Sequence, residues 1–360
     1  MEHHFRDDDY PIGVEEELMI LDRQTLDLRS EIESLLAESD DDSVSPELME
    51  SVLEIQTSKC ANVAQAREEL AALRGDLANR AGERGLVIGA SATHPFALWE
   101  RQKIVARPRY RELTARLGFV ARQELVFGMH VHVGVGDPEQ AIRVANGMRE
   151  HVPLLVALST NSPFWCGIDT GLESSRVPIF RTFPRVGIPP RFADWQEYCE
   201  RLEFLCTSGL VEDYTFVWWD VRPHPSLGTV EIRAMDVQTS LDATTALAAL
   251  VQCLAREAAC AASVPDTRPE VLDENKWLAA RYGLRAELAD GVSGERRSAR
   301  EQTVRTVERL GAHAEELGCT AELERVGAIL QGGTGAARQR GVHATNPDLR
   351  ELTADIVSRT

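Results

Sequence analysis

Two periodicities divide this chain. Up to about residue 240 several short stretches alternate apolar and polar positions with the two-residue period of half-buried strands. Beyond it, apolar residues recur three and four apart, as on one face of a helix. Across residues 11–21, Ile12, Val14, Leu18 and Ile20 share a face with Glu16, while Gly13, Glu15, Glu17 and Met19 share the other. Glu16 interrupts the apolar face and leaves the register open by one residue. Leu53 and Ile55 alternate with Glu54 and Gln56, residues 86–90 read as a short buried strand, and Met129, Val131, Val133 and Val135 alternate with His130, His132 and Gly134. Strands over 216–221 and 229–235, joined by a Pro- and Gly-containing turn at 223–228, predict a hairpin and a sheet that is at least partly antiparallel. On the second of these, Glu231 and Arg233 face away from Val230, Ile232 and Ala234.

Helices are predicted over 64–84, 107–117, 137–161, 195–205, 241–262, 275–282, 299–317, 321–330 and 348–357. Ser45-Pro46 has the form of a helix start, Ser at the cap and Pro at the first helical position. Residues 164–191 show no period and are rich in Gly, Pro and Arg, and a loop of that length in a compact domain is expected to be functional. Residues 38–42 read as a short acidic turn. Gly332-Gly333-Thr334-Gly335 lacks the Lys-Ser/Thr of a phosphate loop and lies between helices, so it reads as a turn. Strands first and helices later predict an α+β fold, with residues 1–360 as one domain whose last third, 241–360, is helical and packs on the sheet.

Composition narrows the partners more than the fold. The net charge of -18 argues against nucleic acid and anionic membrane, whose binding rests on clustered Lys and Arg. It leaves nucleotides open, since an acidic protein can hold them through divalent cations. All but three of the 39 basic residues are arginine, a bias of composition. Seven cysteines without Cys-x-x-Cys spacing suggest reduced thiols, with Cys253 and Cys260 as small core residues of a helix. The first residues carry no apolar leader, and no apolar run has transmembrane length, so a soluble, cytoplasmic protein is expected.

Taken singly, the polar faces have plain explanations. Glu-x-Glu on a strand is most often a solvated face, Glu-x-Arg an exposed ion pair, and Glu47 and Glu50 can line a helix start. Taken together, Glu15, Glu17, Glu47 or Glu50, Glu54, His130, His132, Glu231 and Arg233 converge on one surface if their strands share a sheet. So many carboxylates are tolerable only with cations between them. Carboxylates with one or two imidazoles suit Mg2+ or Mn2+ holding phosphates better than thiolate-seeking zinc. Arg233 adds a charge able to neutralise a transferring phosphoryl group.

At this point the residues reach a resemblance. Gly13-Val14-Glu15-Glu16-Glu17, the run from Glu47 to Thr57, Gly128-Met129-His130-Val131-His132-Val133-Gly134 and Thr229-Val230-Glu231-Ile232-Arg233-Ala234-Met235-Asp236 resemble successive motifs of the type 2 glutamate–cysteine ligase family. These are carboxylate–amine ligases of the broader glutamine synthetase superfamily. Asn161-Ser162-Pro163-Phe164, Ser175-Arg176, Trp218 to Pro223, Glu274 to Trp277 and Arg281-Tyr282-Gly283 resemble it too, so the likeness runs in order from about Tyr10 to about Arg340.

The resemblance implies a curved, largely antiparallel sheet with ATP and two or three Mg2+ (or Mn2+) ions on its concave face and helices on the convex side. It implies metal roles for Glu15, Glu17, Glu54, His130 and Glu231, with Glu47 at a position where related ligases carry an acidic ligand. Arg233 falls where the nucleotide phosphates are met, and His132 where a phosphate or substrate role is implied. Arg176 and Arg222, with Arg181 behind them, are candidates for the substrate carboxylate. The implied reaction joins glutamate to cysteine through an acyl phosphate. Another acceptor amine, a metal-dependent amidohydrolase and an idle nucleotide-binding relative are the alternatives, and a homodimer is expected.

Overall fold

In a computed structural model that describes residues 1–37 and 43–360, seven strands form one sheet. They are β1 (Ile12–Asp22), β2 (Val44–Pro46), β3 (Val52–Gln56), β4 (Leu86–Gly89), β5 (Gly128–Gly134), β6 (Val221–His224) and β7 (Thr229–Asp236). The order is β6-β7-β5-β1-β3-β2, every pairing is antiparallel, and β4 joins the far end of β1. The acidic turn expected at 38–42 lies outside the described residues.

Register explains why the faces segregate. Glu15 stands opposite His130, Gly13 opposite His132, Glu17 opposite Glu54, Glu231 opposite His132 and Arg222 opposite Glu231. Directly opposed residues share a face. The polar set of four strands therefore becomes one surface, and Val14, Leu18, Leu53, Ile55, Met129, Val131, Val133, Val230 and Ile232 become the other. These apolar residues are buried, and helices α1 (Val63–Glu83), α2 (Pro138–Ser159) and α3 (Leu241–Cys260) cover them.

Glu16, the break in the apolar pattern, does face the core. Its carboxylate takes a bidentate pair of hydrogen bonds from Arg74 of α1, at 2.8 and 2.9 Å, and one at 2.7 Å from the Thr244 hydroxyl of α3. The remaining Arg74 donors meet the carbonyls of Gln238, Thr239 and Thr360. The ion pair is buried but satisfied, which is the condition for tolerating it.

Several expectations are corrected. Ser45 and Pro46 do not open a helix; they lie in β2, with Ser45 opposite Glu54 and Pro46 opposite Leu53. β2 is an edge strand, so the missing proline donor breaks no ladder. For the same reason the hairpin's first strand runs over Val221–His224, through Pro223 on the opposite edge, rather than over 216–221. Trp218–Trp219 pairs instead, in parallel, with Val186–Gly187 inside the region expected to be irregular. The predicted helix 321–330 breaks at Arg325 into Thr320–Glu324 and Val326–Gly332. The turn after it holds, with Gly333 at φ +86°, but Thr334 then caps a further helix, Gly335–Thr345, that its weak periodicity hid. Cys253 is buried, whereas Cys260, at the last position of α3, is exposed. Among the described residues no helix is long and apolar enough to cross a membrane.

Candidate active site

The polar face of the sheet floors a cavity of about 390 Å³. Of the residues singled out above, Glu15, Glu17, Glu47, Glu54, His130, His132, Arg222, Glu231 and Arg233 line it, whereas Glu50, Arg176 and Arg181 do not. Helix Pro108–Leu117 contributes Arg109, Tyr110 and Leu113, and an aromatic wall of Phe180, Phe183, Phe216 and Trp218 stands over the floor.

Ligand atoms gather in three overlapping groups: Glu15, His132 and Glu231; Glu15, Glu54 and His130; and Glu17, Glu47 and Glu54. Within each group the atoms lie within 4.8 Å of one another. The imidazoles are set up as donors to a cation. His130 Nδ1 donates to Glu15 Oε2 at 2.8 Å, because a carboxylate can only accept, and His132 Nδ1 bonds the Thr229 hydroxyl at 2.9 Å. Both Nε2 atoms are buried and turned toward carboxylates, His132 Nε2 at 3.2 Å from Glu15 Oε1 and His130 Nε2 at 3.8 Å from Glu17 Oε1, without a well-formed hydrogen bond. Imidazole nitrogens set among carboxylates in this way could hold a divalent cation, with outer hydrogen bonds orienting the rings.

Protonation follows the same geometry. Burial acts to raise Glu15, but His132 and His130 outweigh it and hold the carboxyl well below its usual range. Burial acts to lower His132, and Glu15 outweighs it, so the imidazole is raised. Glu47 is pushed up to about 7 by burial and by Glu17, and Glu54 is pushed well above its usual range by burial and by Glu15. Carboxylates left in that state take up protons unless cations take their place.

Glu231 is different. Burial alone would raise it, yet Arg222 and Arg233 hold it low. Arg222 Nε and Nη2 reach Glu231 Oε2 at 2.8 and 2.6 Å, and its Nη1 donates to the carbonyls of Thr215 and Val217. Arg222 therefore fixes Glu231 and has little left for a substrate, which corrects the expectation drawn for it. Arg181 is corrected likewise, since it forks onto the exposed Asp273 and lies off the main cavity. Arg233 Nη1 reaches Glu231 Oε1 at 3.2 Å and keeps a buried, unpartnered Nε.

Arg176 sits just behind the floor. Its Nη2 donates to the Arg233 carbonyl at 3.2 Å, its Nε has no partner, and a side chain at Gly128 would collide with it, a Cβ there falling 2.5 Å from Nη2. Buried Asp236, the last residue of β7, positions it. That carboxylate accepts from the Asn161 amide and from the Ser162 and Ser174 hydroxyls, and Ser162 Oγ accepts from the Arg176 amide.

Sequence reasoning missed Tyr110, whose hydroxyl donates to the Pro46 carbonyl at 2.7 Å, the buried Lys276–Asp220 pair at 2.6 Å, and Glu124. Glu124 precedes the apolar Leu125-Val126-Phe127 run that leads into β5, a signal readable only once that strand is known to floor a cavity.

An antiparallel sheet covered by helices on one face, as here, is the fold of a solved glutamate–cysteine ligase. It superposes on glutamate–cysteine ligase from Francisella tularensis, solved in complex with AMP, with a TM-score of 0.74 at 13% identity, covering 99% of this chain and 89% of that one. The chain belongs to glutamate–cysteine ligase family 2, whose pattern matches residues 11–355. Among its relatives, a Rubrobacter xylanophilus protein provisionally named glutamate–cysteine ligase 2-1 is 42% identical over 98% of this chain and 95% of its own length. A Sorangium cellulosum protein provisionally named glutamate–cysteine ligase 2 is 40% identical over 98% and 97%.

Proposed function

We propose that this protein is an ATP-dependent carboxylate–amine ligase that joins the side-chain carboxylate of glutamate to the amine of cysteine through an acyl phosphate. The observation that carries this reading is the trio of overlapping carboxylate–imidazole groups on one sheet face. Family membership supports it, as does the solved relative bound to AMP.

Glu15, His132 and Glu231, then Glu15, Glu54 and His130, then Glu17, Glu47 and Glu54 would hold Mg2+ or Mn2+. When bound, such ions neutralise and orient the ATP phosphates. Arg233 presents its free Nε to the transferring phosphoryl group. Arg222 holds Glu231 in one rotamer, and Arg176 meets the substrate α-carboxylate. His132 contacts phosphate or substrate. The aromatic wall excludes water from the acyl phosphate, which would otherwise be hydrolysed.

A carboxylate oxygen of glutamate attacks the γ-phosphorus and ADP leaves; the neutral amine then attacks the acyl carbon and gives up a proton, and phosphate leaves with that oxygen. With purified protein, ATP and Mg2+, release of ADP and phosphate should require both glutamate and cysteine, and Glu15→Gln or Glu231→Gln should abolish it. Turnover without an amine would count against the reading. Four aromatic rings lining the cavity also suit an acceptor with more apolar bulk than cysteine, which they would bury. A screen of amines with mass detection of the amide separates the two.

A further inference from the structure

Five carboxylates of the cavity floor have partners. Glu15 pairs with His130, Glu17 accepts from the Gly128 amide, Glu47 from the Leu48 amide, Glu54 from the Ser45 hydroxyl, and Glu231 from two arginines. Glu124 lines the same cavity, and its carboxylate makes no hydrogen bond or ion pair among the described residues; only its backbone amide is bonded, to the Ala121 carbonyl. It also stands outside all three cation-binding groups.

Its position is nonetheless fixed. It caps the short helix Phe119–Gln123, and the adjoining Leu125 and Phe127 are fully buried, with the Phe127 amide bonded to the Ala92 carbonyl at 3.0 Å. The carboxylate is thus held among charges it does not touch: the anions Glu17 and Glu47, and the cations Arg176 and Arg233. Burial, with Glu17 and Glu47 adding repulsion, pushes it well above the usual carboxylate range, so a cation arriving beside it is favoured.

Arg176 has the opposite need. It is 4% exposed, its guanidinium lies 5.5 Å from the Phe180 ring centre, and its Nε is buried without an acceptor. A cavity carboxylate without a side-chain partner, in the field of an arginine that lies behind the floor against Gly128 and whose Nε has no acceptor, is complementary to a molecule bearing an ammonium and a carboxylate on one carbon.

We propose that Glu124 receives the α-ammonium of the acid substrate while Arg176 receives its α-carboxylate, so that the pair selects an α-amino acid over a dicarboxylic acid lacking the amine. This rests on the ligase reading above and adds a specificity-determining residue to it.

The test uses the full-length protein with ATP, Mg2+ and hydroxylamine, which captures the acyl phosphate as a hydroxamate without an acceptor amine. kcat/KM is measured for glutamate and for glutarate, its analogue without the amine, in the natural protein, Glu124→Gln and Glu124→Asp. Loss of a charge-assisted hydrogen bond is expected to narrow the glutamate-to-glutarate ratio in Glu124→Gln by between about tenfold and hundredfold. Glu124→Asp should restore part of it. An unchanged ratio in Glu124→Gln, or an equal fall on both acids, overturns the assignment while leaving the ligase reading standing. Absence of hydroxamate from both acids with the natural protein overturns the ligase reading and this assignment with it.

Discussion

Glu15 and Glu16 are neighbours in sequence with opposite fates, one on the cavity floor and one locked to Arg74 beneath the sheet. Alternation alone made Glu16 an anomaly, because its partner lies 58 residues away on another element. Removing one side of that pair leaves a buried charge unpaired, so Arg74→Met should lower unfolding stability by about 3–5 kcal/mol. The double change Glu16→Leu with Arg74→Leu should recover much of the loss; urea titration reads both. His94 makes a second prediction at this scale. Its Nε2 donates to the Leu26 carbonyl, and its Nδ1 accepts from the Phe96 and Ala97 amides, an arrangement that only the neutral ring satisfies. Burial lowers it to about 4, from 6.5. Since the unfolded chain takes the proton first, stability should fall as pH drops from about 6.5 to 4, by about 3 kcal/mol from this residue. His94→Gln should flatten that part of the profile. Glu124 shows the limit of reading single residues, for nothing around it in sequence distinguishes it from a solvated carboxylate.

Strands were legible where their pattern was local. The alternation in β1, β3, β5 and β7 was visible, and pairing then aligned Glu15, His130, His132 and Glu231. What local pattern could not supply was edge position, which admits Pro46 and Pro223 into strands, or the register shift in β7 between Ile232 and Met235. The β6–β7 turn carries its own test. Gly228 has φ +69°, and a side chain there would place Cβ 2.3 Å from the His4 carbonyl oxygen. Gly228→Ala should cost more than about 1 kcal/mol and free the segment before Tyr10 for limited proteolysis. At the other end of β7, Asp236→Asn should loosen Ser162 and Ser174 and so displace Arg176. A raised KM for the acid with little change for ATP would report this.

For the molecule as a whole, the acidic balance and the site have a common logic. Carboxylates from β1, β3, β7 and the β2–β3 connection converge on one face while helices bury the other, and charge clustered in this way is relieved by protons or by cations. The order of motifs made the family legible across nearly the whole chain. The aromatic wall was not, because Phe180 and Phe183 come from a stretch without periodicity, Phe216 and Trp218 from one that reads as a strand of the sheet, and the four meet only over the floor. The central claim is that a carboxylate is activated by phosphoryl transfer before an amine displaces it. Glutamate labelled with 18O in its side-chain carboxylate tests it most directly. With ATP, Mg2+ and cysteine, the released phosphate should carry one 18O atom per amide formed; amide formed with unlabelled phosphate, or without ATP, would contradict the account.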